Sequence, residues 1–230
     1  MLNVIEVFSS IQGEGSNTGL WMTFLRLSRC NLSCSWCDTK YSWKSGTTFS
    51  NRDLYTRVLR ADPDPRWIIF TGGEPTLQQE GMVDFMAYVR ERLPSVRFAI
   101  ETNGTVEPWV MLIKYLDHIT LSPKPCQTGI DKACQSISYW MGRVCSENVF
   151  MELKFVVTQQ ADLKMIERIY NDVPLYGYNI PIILQPNGQV NDYPEAARRL
   201  VGWVKDWHLK NEVRVMLQTH KVLWNNERGK

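Results

Sequence analysis

Several features that would set the class of a 230-residue chain at once are missing from this one. No Lys/Arg run stands out and the formal net charge is only +2, so nothing argues for a nucleic-acid partner. The longest apolar runs, such as Trp109–Ile113, are far too short to span a bilayer. Met1–Ser10 has no basic n-region and carries Glu6 inside its short apolar stretch, unlike a secretory signal. Internal repeats, low-complexity segments and domain-length linkers are absent. Residues 1–230 are therefore read as one domain, long enough to bury a sizeable core. Six cysteines in a chain of this length do not make a disulfide scaffold. The expectation is a soluble, cytoplasmic protein with no membrane and no nucleic-acid partner.

What is present is concentrated in Cys30-Asn-Leu-Ser-Cys34-Ser-Trp-Cys37. Four thiolates close a metal site, whereas three leave one coordination position for a ligand. An iron-sulfur cube held by three cysteines has one iron without a protein ligand, where chemistry can occur. A structural zinc site with a fourth ligand from elsewhere is the alternative. Zinc motifs usually come as paired knuckles, and no second C-x2-C exists here. Cys126, Cys134 and Cys145 form no ligand spacing and are expected to pack as small apolar residues. Trp203 and Trp207, four apart on a helical stretch, are expected in the core or at a dimer interface.

Short apolar runs alternate with helical stretches along the chain. Strands are predicted at Asn3–Phe8, Met22–Leu27, Trp67–Phe70, Val96–Ile100, His118–Leu121, Glu152–Val157, Pro181–Leu184 and Glu212–Leu217. Several are apolar almost throughout, as for strands covered on both faces. Helices are predicted at Asn51–Arg60 with Ser50 as N-cap, Leu77–Leu93, Glu107–Leu116, Asp162–Asn171 and Tyr193–Trp207. The alternation predicts an α/β fold with a parallel sheet and right-handed crossovers. Strand after strand runs into polar or turn residues: Thr71-Gly-Gly-Glu-Pro75, Glu101-Thr-Asn-Gly104, Ser122-Pro-Lys124, Gln185-Pro-Asn-Gly188 and Gln218-Thr-His-Lys221. In barrel-like α/β folds that C-terminal rim carries the active site. Turn residues at strand ends account for the Gly and Pro, but not for Glu101, Lys124 and His220 together.

C-x3-C-x2-C after one strand, with Gly72-Gly73-Glu74-Pro75 after the next, resembles the radical S-adenosylmethionine (SAM) superfamily. Ser10-Ile-Gln12-Gly13-Glu14-Gly15, Arg26, Cys37-Asp38-Thr39 and Gln218-Thr-His220-Lys221 resemble the 7-carboxy-7-deazaguanine synthase family, nearly end to end. The resemblance implies a single-domain, incomplete TIM-like barrel of parallel strands and a homodimer. It implies a [4Fe-4S] cluster on Cys30, Cys34 and Cys37, SAM on the open iron, and Mg2+ on the hydroxyl of Thr39. The implied reaction converts 6-carboxytetrahydropterin to 7-carboxy-7-deazaguanine with loss of ammonia, with an electron donor such as flavodoxin or ferredoxin.

By resemblance, Gln12, Gly13, Glu14, Arg26 and Thr71 contact the substrate; Glu101 and His220, on the rim, are expected to join them. Arg26 has its own logic, since a guanidinium pairs bidentately with a carboxylate and this substrate carries one. Glu14 or Glu101 suits the paired N–H donors of a pterin edge, and the sequence does not choose between them. For SAM the expected contacts are Trp36, Cys37, Asp38, Gly72, Gly73, Ser122, Pro123, Lys124 and Gln185. The missing Cβ atoms at Gly72 and Gly73 would let the backbone approach the methionine amine. Glu74 fits a helix-start carboxylate equally well, and Asp38-Thr39 a capping pair. Two rivals remain: an activase of a glycyl-radical enzyme, which shares the cysteine spacing, and a non-catalytic zinc module.

Overall fold

The computed structural model describes all residues except 176, 177, 226, 228 and 230. Among them nine strands form one sheet: β1 (Leu2–Ile11), β2 (Trp21–Leu27), β3 (Thr47–Phe49), β4 (Trp67–Gly72), β5 (Arg97–Thr102), β6 (His118–Leu121), β7 (Phe150–Val157), β8 (Ile182–Pro186) and β9 (Val213–Val215). Their order is β3-β1-β2-β4-β5-β6-β7-β8-β9, and the sheet stays open. From β2 to β9 every pairing is parallel. β1 departs from the all-parallel expectation by pairing antiparallel with both β2 and β3.

Among the described residues eight α-helices accompany the strands: α1 (Asn51–Ala61), α2 (Gln79–Arg90), α3 (Val110–Tyr115), α4 (Pro125–Thr128), α5 (Ile130–Val144), α6 (Ala161–Asp172), α7 (Tyr193–Lys205) and α8 (Thr219–Trp224). Ser50 caps α1 as expected, its Oγ accepting from Asp53 N. All eight predicted strands are present, although Glu212–Leu217 shrinks to three residues and its expected rim becomes α8. The sequence reading missed β3, α4 and α5. In α5 the buried positions Ala133, Ile137, Trp140 and Met141 do repeat on one helical face.

The two faces of the sheet differ in chemistry. Leu25, Leu27, Ile68, Phe70, Phe98, Ile100, Ile119, Leu153, Phe155 and Leu184 point to the side covered by helices and join one large core. The alternate residues face the concave side. There a small apolar cluster (Met22, Phe24, Ile69, Ala99) gives way to Arg26, Thr71, Glu101, Glu152, Lys154 and Gln185. Strand alternation thus delivers the polar groups to one surface. Trp207 lies in the core with Trp203 packed against it. Of the three remaining cysteines only Cys134 packs against the core; Cys126 and Cys145 are exposed, contrary to expectation. No helix among the described residues is long and apolar enough to cross a membrane.

Candidate active site

A polar row runs across three neighbouring strands. Arg26 of β2 stands opposite Thr71 of β4, and Thr71 Oγ1 donates to Glu101 Oε2 of β5 at 2.9 Å. Arg26 Nε donates to Glu6 Oε1 at 2.6 Å, and Tyr41 Oη donates to the same oxygen at 2.8 Å. The rings of Phe8 and Tyr41 lie 5.7 and 5.8 Å from the guanidinium carbon. Arg26 therefore faces the concave cavity, oriented through Nε by a carboxylate and flanked by two aromatic faces.

The cysteine loop follows β2 and is stitched to the loop after β4. Gly73 N donates to Leu27 O (3.1 Å) and Glu74 N to Arg29 O (2.8 Å). The space that a Cβ on Gly73 would need is filled by the carbonyl of Arg29, with Cys30 N at 3.0 Å. The glycine is thus required by the cysteine loop itself, a demand the sequence reading had not identified. Glu74 has the capping role: it is fully buried, and its carboxylate accepts from Thr76 N (3.0 Å), Thr76 Oγ1 (2.5 Å), Thr102 Oγ1 (2.6 Å) and Asn103 N (2.7 Å). Burial pushes its pKa up.

Cys34 is buried, while Cys30 and Cys37 are partly exposed. Burial raises the Cys30 and Cys34 thiols, and the neighbouring thiols raise them further. The three sulfurs are close enough to repel as thiolates. Yet among the described residues no three Cys, His, Asp or Glu side chains converge as ligands of one metal ion. Three cysteine thiols on one loop are a donor set that fits an iron-sulfur cluster, each thiolate on a different iron. Thr39 precedes a 3-10 turn (Lys40–Trp43) but its side chain makes no capping hydrogen bond. Its Oγ1 lies 3.6 Å from Cys37 Sγ. Asp38 Oδ2 lies 3.8 Å from Lys221 Nζ of α8.

The segment between β1 and β2 forms the floor. Gln12 Nε2 donates to Glu101 Oε1 (3.1 Å) and Glu14 N to Gln12 Oε1 (3.1 Å). Glu14 pairs with Lys154 of β7, accepts from Gln218 Nε2 (2.5 Å) and has His220 Nε2 at 3.9 Å. Burial works against the Glu14 anion, but Lys154, His220 and Gln218 outweigh it and hold the carboxyl at about 2. Thr219 N donates to Gly13 O (2.9 Å). Ser16 N donates to Glu152 Oε2 (2.9 Å), and Glu152 also faces His118 Nε2 (3.3 Å) and Thr120 Oγ1 (2.8 Å). Gly15, at φ 69°, passes so close to Glu152 that a Cβ would collide with its carboxylate.

Glu152 is completely buried, and despite that burial its bonds to His118 and Ser16 hold its pKa at about 2. A folded pKa below the unfolded one adds stability above the unfolded value, lost as pH falls through the folded one. Wild type is therefore expected to exceed Glu152→Gln by about 3 kcal/mol above pH ~4.5, with the gap closing toward pH ~2. Thermal unfolding of both proteins across that range checks this; a constant gap would refute it.

Lys124 Nζ donates to Ser122 Oγ (2.6 Å), which itself donates to Lys154 O (2.9 Å). Burial, with Lys154 nearby, pushes the Lys124 pKa down. A cavity of about 500 Å³ gathers these groups, within the range of ligand sites. It is lined by every residue expected from the sequence except Pro123, which lines an adjoining crevice with Cys126, and Gln185. Gln185 is fully buried with neither end of its amide hydrogen-bonded. Trp224, Asn225, Glu227 and Gly229 also reach the rim. Lys154 and Gln218 were missed as site residues. Lys154 had a signal: Glu152 and Lys154 put two charges on one face of an otherwise apolar strand.

Residues 25–138 match the Radical SAM superfamily. Over all of this chain and 97% of its own length, the 7-carboxy-7-deazaguanine synthase of Pyrobaculum aerophilum is 32% identical. That of Thermoplasma acidophilum is 31% identical over 98% of this chain and 99% of its own. The crystal structure of QueE from Escherichia coli superposes with a TM-score of 0.65 and 23% identity, covering 95% of this chain and 94% of that one, a likeness of fold.

Proposed function

Since the chain belongs to the 7-carboxy-7-deazaguanine synthase family of radical SAM enzymes, we propose that it converts 6-carboxy-5,6,7,8-tetrahydropterin to 7-carboxy-7-deazaguanine with release of ammonia. The observation that carries this reading is a single cavity lined by the three thiols, the Arg26 guanidinium and the Glu101–Gln12 pair. Cys30, Cys34 and Cys37 would hold a [4Fe-4S] cluster that, with SAM bound, supplies one-electron cleavage to a hydrogen-abstracting alkyl radical.

The remaining work falls to side chains of this protein. Arg26, steadied through Nε by Glu6, offers its terminal nitrogens to the substrate carboxylate. Thr39, whose hydroxyl does not cap the following turn, suits Mg2+ as a hard oxygen ligand beside Asp38. Glu101 and Gln12 present acceptor and donor to the pterin ring, with Thr71 and His220 at its edges. Ser122 and Lys124 suit the polar end of SAM; Gln185, expected near the adenine, is fully buried and outside the cavity lining. The floor, closed by the contacts of Glu14 with Lys154 and Gln218, fixes the substrate's orientation. A homodimer in a reducing cytoplasm, served by flavodoxin or ferredoxin, completes the reading.

The test is anaerobic reconstitution with iron and sulfide, then incubation with the pterin, SAM, Mg2+ and a low-potential reductant. A brown protein carrying about four irons per chain and yielding a deazaguanine chromophore is expected. A colourless zinc protein would overturn the cluster. A fully loaded protein that cleaves SAM and leaves this pterin untouched would overturn the substrate.

A further inference from the structure

Lys154 is a buried cation on the concave face of β7, in contact with Glu14 Oε2 and 3.8 Å from Glu101 Oε1. The two carboxylates that both suit a pterin edge thus share one lysine. Their other partners differ. Glu14 engages both oxygens within the floor, Oε2 on Lys154 and Oε1 on Gln218, with His220 beyond. Glu101 has only neutral donors at hydrogen-bond distance, Gln12 Nε2 and Thr71 Oγ1.

We propose that Lys154 is a positioning residue that divides the roles of these carboxylates, locking Glu14 into the floor and leaving Glu101 as the acceptor for the substrate's paired N–H donors. The proposal rests on the pterin reading above. Two carboxylates sharing one partly buried site repel each other, and a cation between them offsets that repulsion. The charged and titratable groups facing the pair are Glu152 on β7, Lys124 after β6, His220 on α8 and Tyr193 on α7. Glu152 is taken by Ser16, His118 and Thr120, and Lys124 by Ser122. Lys154 is the cation that touches Glu14 and approaches Glu101. Burial opposes its charge, but Glu101 and Glu14 overcome this and raise its pKa.

The test is equilibrium binding of 6-carboxytetrahydropterin to the reconstituted, SAM-loaded enzyme without reductant, from about pH 6 to about pH 9. Lys154→Met is expected to bind roughly 10- to 100-fold more weakly near neutrality, recovering as pH rises and the stranded carboxyl ionises. Lys154→Arg should keep a constant ratio to wild type. Adding Glu14→Gln to Lys154→Met should restore affinity to within about tenfold and remove the pH dependence, because Glu101 then has no second carboxylate beside it. A double variant no better than Lys154→Met, or a Lys154→Met loss equal at every pH, overturns the proposal. Wild-type enzyme that binds no pterin overturns the substrate reading instead. The division of roles is then decided by thermal unfolding: Glu14→Gln should rescue the stability lost in Lys154→Met and Glu101→Gln should not. Equal rescue by both overturns the proposal.

Discussion

Gly73→Ala is expected to cost the enzyme its cluster although no thiol is touched. The Cβ of alanine would fall on the Arg29 carbonyl and press on Cys30 N. Both obstacles are backbone, so no side chain can swing aside. The same strands are tied by hydrogen bonds from Gly73 N to Leu27 O and Glu74 N to Arg29 O, so relief must come from moving the Cys30 end of the loop. A displacement near 1 Å suffices to misplace a ligand set. After reconstitution, iron content and visible absorbance should fall well below wild type, and product formation by about 100-fold or more. Gly202→Ala is the control: nothing lies within 4 Å of its new methyl, on an exposed stretch of α7, so stability should rise by about 0.5–1 kcal/mol with a full iron load. Normal loading and turnover in Gly73→Ala would refute the account.

Glu74→Ala carries the largest expected loss of stability, about 3–5 kcal/mol. Its carboxylate gathers the donors of Thr76, Thr102 and Asn103 where water does not reach. Removing the acceptor strands all four donor groups. Calorimetry should show the melting temperature falling by about 10 °C. Glu74→Gln keeps the shape but turns one acceptor into a donor facing donors, so it should recover only part of the loss. Asn103 Nδ2 also donates to Asn31 Oδ1 of the cysteine loop (3.0 Å), so the Ala variant should load iron more slowly. A melting temperature within about 2 °C of wild type would show that Glu74 is not the tie described.

Strand positions and the rim were legible because apolar runs ending in polar residues carry a strong local signal. Thr71, Glu101, Ser122 and Lys124 could be set on one rim from strand order alone. Arg26 could be seen to alternate with apolar neighbours, but only its pairing with Glu6 and Tyr41 shows which way it faces. β3 escaped because three edge residues, two of them threonine, have no periodicity to read. α5 carries Cys134, Ser136 and Ser138, weak helix formers, among its core positions, so tertiary packing of Ile137 and Trp140 decides the helix. Lys154 and Gln218 were invisible as partners of Glu14 because those contacts join residues 140 and 204 positions apart.

That separation bears on the order in which the molecule assembles. The bond from Gln218 to Glu14 cannot form until all the strands between them have wound into register. Local pairs such as β1–β2 can form early, but closure of the floor must wait for the slowest, least local contacts. It also hangs on the far edge of the sheet, where β9 contributes only three residues. Fraying there would release Gln218 and His220 first and leave the helix-side core folded. In amide hydrogen exchange, the floor segment and α8 should therefore open together, ahead of the strands that carry the cysteine loop.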